Sequence, residues 1–155
     1  MVSLTVKDLS FSYRGSSIFS GINLSVETGQ ILSLVGPNGA GKTTLLKCLN
    51  ALHSPDGGEI LLKGKNIREM SRLDIAREVA YVPQSEQVKF PVSVFDAVML
   101  GRRPHFQWRA TRKDYDAVFD ILCRLEIDDL ATKSLDQMSG GERQKVMLAK
   151  AIVQE

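Results

Sequence analysis

The stretch Gly36-Pro37-Asn38-Gly39-Ala40-Gly41-Lys42-Thr43-Thr44 constrains this chain more than any other. It reads G-x-x-x-x-G-K-T. It follows the apolar run Ile31-Leu32-Ser33-Leu34-Val35 and precedes Leu45-Leu46-Lys47-Cys48-Leu49 at helical spacing. A buried strand, a glycine-rich loop and a helix in that order form a phosphate-binding loop. The glycines let the backbone curl until several N–H groups point inward at phosphate oxygens. The start of the helix adds a partial positive charge at the same spot. Lys42 brings a point charge to the outer phosphates, and the Thr43 hydroxyl suits Mg²⁺. The pattern implies a chain that binds a nucleoside triphosphate or descends from one that does.

Composition narrows the rest only modestly. A chain of 155 residues, 43% hydrophobic and 25% charged, can bury one core and reads as globular. A net charge of +2 does not by itself imply nucleic acid or an anionic membrane. Cys48 and Cys123 lie far apart and are expected to be reduced core residues of a cytosolic protein. The first residues carry no signal-peptide pattern, and no apolar run approaches the roughly 18 residues that span a bilayer.

Along the chain, Leu4, Val6 and Leu9, then Ile22, Leu24 and Val26, predict two early strands, and Thr28-Gly29 turns into the strand before the loop. Ser54-Pro55-Asp56-Gly57-Gly58 predicts a turn, followed by a short strand over Glu59-Ile60-Leu61-Leu62 that ends at Lys63-Gly64. Four helix starts follow from Ser71-x-x-Asp74, Ser93-x-x-Asp96, Thr111-x-x-Asp114 and Ser139-x-x-Glu142, each a capping box or its aspartate variant. Val79-Ala80-Tyr81-Val82 predicts a short strand broken at Pro83-Gln84. Gly101 is expected to stop the second of these helices, and Tyr115, Val118, Phe119, Leu122 and Leu125 to form the apolar face of the third.

Ser139-Gly140-Gly141-Glu142-Arg143-Gln144, about a hundred residues after the loop, makes the pattern specific. Together the motifs resemble the nucleotide-binding domain of ABC transporters over the whole length of the chain. The loop matches the usual Walker A form of that family. Ser139, Gly140, Gly141 and Glu142 resemble its signature, commonly Leu-Ser-Gly-Gly-Gln, with Met138 and Glu142 as departures. Gln84 falls where the family has its Q-loop, and Tyr13 where a ring stacks on adenine. Each position also has a plainer reading: a helix cap at Ser139 and Glu142, a turn residue at Gln84, a core aromatic at Tyr13.

The resemblance implies an α/β P-loop NTPase fold with an N-terminal antiparallel β part, an incomplete parallel core and a helical subdomain. It divides one domain into residues 1–84, 85–138 and 139–155. It implies ATP and Mg²⁺ as ligands, with Lys42 and the loop amides on the phosphates and Thr43 and Gln84 serving the metal. The signature serine and glycines would reach the γ-phosphate held by a second ATPase subunit. Lys42 and Gln84 are the candidate catalytic residues. Gly36, Pro37, Asn38, Gly39, Ala40, Gly41, Lys42, Thr43, Thr44, Tyr13, Ser139, Gly140, Gly141 and Glu142 are the candidate nucleotide contacts.

Gly101-Arg102-Arg103-Pro104-His105 resembles one subgroup, the ATPases of importers for ferric siderophores, haem and cobalamin. That implies a peripheral protein on the cytoplasmic face of the plasma membrane, docked on permease subunits rather than on nucleic acid. Arg102, Arg103, Arg109, Arg112 and Lys113, with Phe106 and Trp108, form a basic cluster suited to such docking, or else a solvated surface. His105 alone is expected to be structural.

In the family, an apolar strand ending in Asp-Glu and a switch histidine follow the signature. Neither is found between Ser139 and Glu155. Leu125-Glu126-Ile127-Asp128-Asp129 lies before the signature and reads as a helix end. Phosphoryl transfer depends on an oriented water and on charge. The expectation is therefore an N-terminal part of an ABC ATPase that hydrolyses ATP as a complete protein and is itself inactive. Two alternatives are a remnant that binds nucleotide without turnover, and a soluble ABC protein of DNA repair or translation.

Overall fold

The fold is that of a computed structural model, which describes residues 2–84, 91–106 and 108–154. Its contacts divide into two compact units, Met1–Ile75 and Ala76–Glu155.

In the first unit, β1 (Val2–Tyr13) and β2 (Ser16–Glu27) form an antiparallel hairpin. Its two-residue turn, Arg14-Gly15, has φ of 51° and 85°. Left-handed backbone at both positions matches the twist of the paired strands. β3 (Gly57–Leu62) pairs with the other edge of β1, and β4 (Lys65–Asn66) returns along β3, so the strand order is β2-β1-β3-β4. Asp8 (φ 52°) bulges out of β1 where Gly58 (φ 85°) passes it; a Cβ on Gly58 would lie 2.6 Å from the Leu9 Cα. Only glycine fits that crossing.

Alternation along β1 and β3 sends Val6, Leu9, Phe11 and Ile60 to one face. There they meet Leu45, Cys48 and Leu49 of α1 (Lys42–Leu49), together with Ile67 and Ile75. Burying each large side chain stabilises the fold by roughly 1.5–3 kcal/mol. This face is what holds α1, and with it the end of the glycine loop.

Residues 31–35, expected as a buried strand, join no ladder, and Ile31 and Val35 are 91% and 93% exposed. Residues 79–82 likewise form no strand, and Val82 is exposed. A buried parallel strand needs neighbours on its edges and faces. The four-stranded sheet supplies none to residues 31–35, and no parallel ladder occurs among the described residues. The α/β architecture is present, as an antiparallel sheet backed by the P-loop helix plus a helical unit.

The second unit packs α3 (Val94–Met99), α4 (Arg112–Arg124) and α5 (Gly140–Ile152) around Val94, Val98, Val118, Leu122, Ile127 and Val146, all nearly inaccessible to solvent. All four expected helix starts are capped. Ser71 Oγ accepts from the Asp74 N–H (3.1 Å) ahead of α2 (Arg72–Glu78), and Ser93 Oγ from Asp96 (3.0 Å) ahead of α3. Full boxes open α4 at Thr111 and α5 at Ser139. Glu126, at φ 54°, turns the chain out of α4, the helix end expected there.

Three expectations fail here. α3 ends at Met99, and Gly101 sits buried inside the following 3₁₀ segment Leu100–His105, against the Lys150 carbonyl and Val153 of α5. Close approach of a helix, not a left-handed stop, requires glycine there. On α4 the buried stripe is Val118, Ile121 and Leu122, while Tyr115 and Phe119 are about half exposed on its margin, Tyr115 stacked on Phe95 (5.9 Å). Cys48 is a core residue, but Cys123 faces solvent because it lies off that stripe.

Candidate functional site

The loop from Gly36 to Gly41 runs over the surface of the first unit and ends where α1 begins. Gly41, at φ 84°, is the N-cap, and no side chain caps the helix. A Cβ on Gly41 would lie 2.8 Å from Ile18 Cγ2, so the loop comes this close to β2 only through glycine. The first intrahelical bond runs from the Leu45 N–H to the Gly41 carbonyl, 2.8 Å. A helix start leaves its leading N–H groups without intrahelical acceptors. Here those belong to Lys42, Thr43 and Thr44, next to Gly39 and Gly41 in left-handed backbone. That is an anion cradle, and its donor chemistry fits a phosphate group.

Lys42 Nζ folds back over the loop and donates to the carbonyls of Gly36 (2.6 Å) and Pro37 (2.7 Å). The Ala40 N–H donates to the Pro37 carbonyl (3.3 Å), which tightens the turn through Asn38 and Gly39. A hollow of about 290 Å³ opens beside the loop, lined by Phe19, Ile22, Ser33, Leu34, Val35, Ala40, Gly41, Lys42 and Leu45. Thr43 is exposed on the first turn of α1. Tyr13, at the hairpin tip, is 57% exposed with the Arg14 guanidinium 5.7 Å from its ring centre. It is not packed in the core, and the Arg14 guanidinium lies over one face of its ring.

Gln84, Ser139, Gly140, Gly141 and Glu142 lie in the second unit. Gln84 is exposed at a bend after Pro83. The Thr43 hydroxyl in the first unit and the Gln84 carboxamide oxygen in the second are each neutral hard donors of the kind Mg²⁺ accepts. At α5, Ser139 Oγ accepts from the Glu142 N–H (3.3 Å). The Glu142 carboxylate accepts from the Ser139 N–H (2.8 Å) and hydroxyl (2.6 Å). Those two bonds from Ser139 hold the Glu142 carboxyl below its ordinary pKa. Glu142 thus turns back onto its own helix start, while Gly140 and Gly141 stay exposed beside it.

Two residues of this region carried no sequence signal as partners. Arg143 donates from Nη2 to the Leu135 carbonyl (2.9 Å), fixing the loop that enters the signature. Arg102 does not belong to the exposed basic cluster. It pairs with Asp114 and donates to the Val153 carbonyl (3.0 Å), because Gly101 brings the 3₁₀ segment onto α5. His105 also binds backbone, its Nε2 lying 2.6 Å from the Gln154 carbonyl. A arginine followed by an acid twelve residues later has no periodicity that marks it as a pair. Trp108 remains 91% exposed, and Arg103 lies 5.6 Å from the Phe106 ring centre.

The sequence profile of the ABC transporter family matches residues 19–155. An uncharacterized ABC transporter ATP-binding protein of Methanocaldococcus jannaschii is 40% identical over 152 residues, 98% of this chain and 59% of that protein. A hemin import ATP-binding protein of Thermobifida fusca is 39% identical over 99% of this chain and 54% of its own length. Among solved structures, an ABC transporter described as of metal-chelate type, in an inward-facing conformation, superposes with a TM-score of 0.83 at 32% identity. That match covers 99% of this chain and 56% of that one. The chain therefore spans somewhat over half the length of these relatives.

Proposed function

The chain belongs to the ABC transporter family, and we propose that it binds Mg²⁺-ATP at residues 36–44 and acts in the ATP-hydrolysing subunit of an importer. The observation that carries this reading is the uncapped start of α1 on left-handed Gly41, with Lys42 folded over the loop. The N–H groups of Lys42, Thr43 and Thr44 donate to phosphate oxygens, and Lys42 Nζ exchanges its two loop carbonyls for the outer phosphates. Each exchange replaces a neutral acceptor with an anion, which strengthens the bond. Mg²⁺, for which Thr43 is the candidate ligand in the first unit and Gln84 in the second, would supply charge neutralisation at those phosphates. The Tyr13 ring stacks on adenine, and Ser139, Gly140 and Gly141 face the nucleotide of a second ATPase subunit.

The imported substrate is haem, a ferric siderophore or cobalamin. The hemin-import relative, the metal-chelate structural neighbour and Gly101-Arg102-Arg103-Pro104-His105 support that class. The protein would sit peripherally on permease subunits at the cytoplasmic face of the plasma membrane. No helix among the described residues is long and apolar enough to cross a bilayer.

Calorimetric titration with Mg²⁺-ATP tests the reading. Lys42→Ala is expected to weaken binding at least tenfold, about 1.4 kcal/mol. Parent-like affinity in that variant would remove the loop as the nucleotide site.

A further inference from the structure

One charged patch, wholly within the second unit, takes no part in the nucleotide site. From residue 102 to residue 113 the chain carries Arg102, Arg103, Arg109, Arg112 and Lys113 and no Asp or Glu, a local excess in a chain of net charge +2. Arg102 turns inward to Asp114 and the Val153 carbonyl. The other four are exposed, and none of them makes an ion pair among the described residues. Like charges gathered on one short segment repel one another, and an anionic partner relieves that repulsion.

Aromatic rings are interleaved with these cations. Trp108 is 91% exposed, and the Arg103 guanidinium lies 5.6 Å from the Phe106 ring centre. α4 continues the pattern. Tyr115 and Phe119, each about half exposed, follow Arg112 at three and seven residues and so share its side of the helix. Asp116 and Asp120, exposed further along α4, mark the limit of the patch.

The placing of Arg112 and Lys113 is locally unfavourable. They are the first two residues of α4, where free N–H groups already concentrate positive charge. The one acid of that turn, Asp114, is buried. Charge held against the local field on a surface points to a ligand that offsets it.

We propose that this patch binds the anionic headgroups of a lipid bilayer, with Trp108 entering the interface. Cations close to such a surface are drawn by its negative potential. Tryptophan settles at headgroup depth because its ring is apolar and its N–H is not. Single-stranded nucleic acid would need successive rings on which its bases stack. Here Arg103 lies over a face of Phe106, which leaves Trp108 as the open ring beside the cations. One open ring suits an interface anchor better than a stacking platform. The inference goes beyond the proposed function, since a subunit docked on a permease need not touch lipid itself.

Trp108 is the only tryptophan of the chain, so its emission reports on the patch directly. The test titrates the 155-residue chain with vesicles of phosphatidylcholine, alone or in equal parts with phosphatidylglycerol. A blue shift and co-sedimentation are expected with the mixed vesicles only, weakening as salt rises. Neutralising one cation should lower the partition coefficient about fivefold, and Arg109→Gln with Arg112→Gln about 25-fold. Lys63→Gln with Lys65→Gln removes the same charge from the first unit and should leave the coefficient near the parent value. All four residues are exposed, so both double variants keep the buried core.

Equal binding to the neutral and mixed vesicles, no shift with either, or equal losses in the two double variants would each overturn the inference. So would quenching of Trp108 by a single-stranded oligonucleotide with no shift on vesicles, which would assign the patch to nucleic acid.

Discussion

Arg102 Nε lies 3.1 Å from Asp114 Oδ1, joining the 3₁₀ segment after α3 to the first turn of α4, with both side chains largely buried. Asp114 also accepts from the Thr111 N–H (2.8 Å) and hydroxyl (2.7 Å) through its other oxygen. One carboxylate thus closes a capping box and neutralises a buried guanidinium. Removing one partner of a buried pair strands the other, which typically costs 3–5 kcal/mol. Asp114→Asn keeps the shape and some of the cap, so a loss of about 2–3 kcal/mol is expected by urea denaturation. A loss below about 0.5 kcal/mol would mean that solvent already screens the pair.

The same carboxylate sets a pH dependence. Thr111, through its N–H and then its hydroxyl, holds the Asp114 carboxyl below its ordinary value of 3.8, with Arg102 adding to the effect against burial. The folded chain therefore binds this proton more weakly than the unfolded chain does. The stabilisation is fully present above the unfolded pKa near 4 and is lost as pH falls through the lower folded value. Stability measured from pH 6 down to pH 2 should fall in the parent, and the part due to this group should vanish in Asp114→Asn. Parallel pH curves for the two proteins would contradict the assignment.

Gly101 is a contact residue, and its substitution separates the two explanations for a glycine at this point. A left-handed helix stop would tolerate asparagine. Close packing tolerates no side chain, because a Cβ would strike the Lys150 carbonyl and lie 2.7 Å from Val153 Cγ1. Gly101→Ala is expected to lower stability by about 1–3 kcal/mol, the range for overpacking. Gly101→Asn should be worse still. An alanine variant as stable as the parent would show that α5 can retreat without loss.

The local signals in this chain were legible because they depend on few residues. Four serine or threonine caps and the Lys63-Gly64 turn that ends β3 are each decided within about four positions. Non-local features were less legible. Residues 31–35 read as a buried strand from apolarity alone, yet apolarity cannot say whether neighbouring strands are there to receive them. Tyr115 and Phe119 fit a helical period, but the stripe that α3 and α5 cover is centred one side over, on Val118, Ile121 and Leu122. At the candidate site, the glycine loop was plain in sequence because backbone donors need only spacing. The hold of Arg143 on Leu135, and of Gln154 on Val79, joins residues whose sequence gives no sign of pairing.

Ser93 and Ser139 cap helices in the same way, which lets the binding role of one be separated from its structural role. Each accepts from the N–H three residues on, at 3.0 and 3.3 Å. Replacement by alanine should cost about 1 kcal/mol at either position. Only Ser139→Ala is expected also to weaken ATP-dependent self-association, measured by sedimentation, because Ser139 faces a second subunit's nucleotide in the proposed function. Equal effects of both variants on association would reduce Ser139 to a cap.

Three glycines of the P-loop should respond to alanine in graded order, because they differ in backbone and in space. Gly36 is not in the left-handed region, and a Cβ there would meet only Ala40 Cβ at an ordinary 3.6 Å. Gly39 has φ 85° with open space around it, and Gly41 has φ 84° with Ile18 Cγ2 at 2.8 Å. Left-handed backbone costs an alanine about 1–2 kcal/mol, and crowding adds about 1 kcal/mol or more. Stability should therefore be unchanged in Gly36→Ala, about 1 kcal/mol lower in Gly39→Ala, and about 2–3 kcal/mol lower in Gly41→Ala. Ile18→Ala in the Gly41→Ala background should return the crowding part and leave the backbone part. A double variant no more stable than Gly41→Ala would show that Ile18 is not what holds the loop against β2. Equal losses at all three glycines would mean that the loop rearranges as a unit instead of residue by residue.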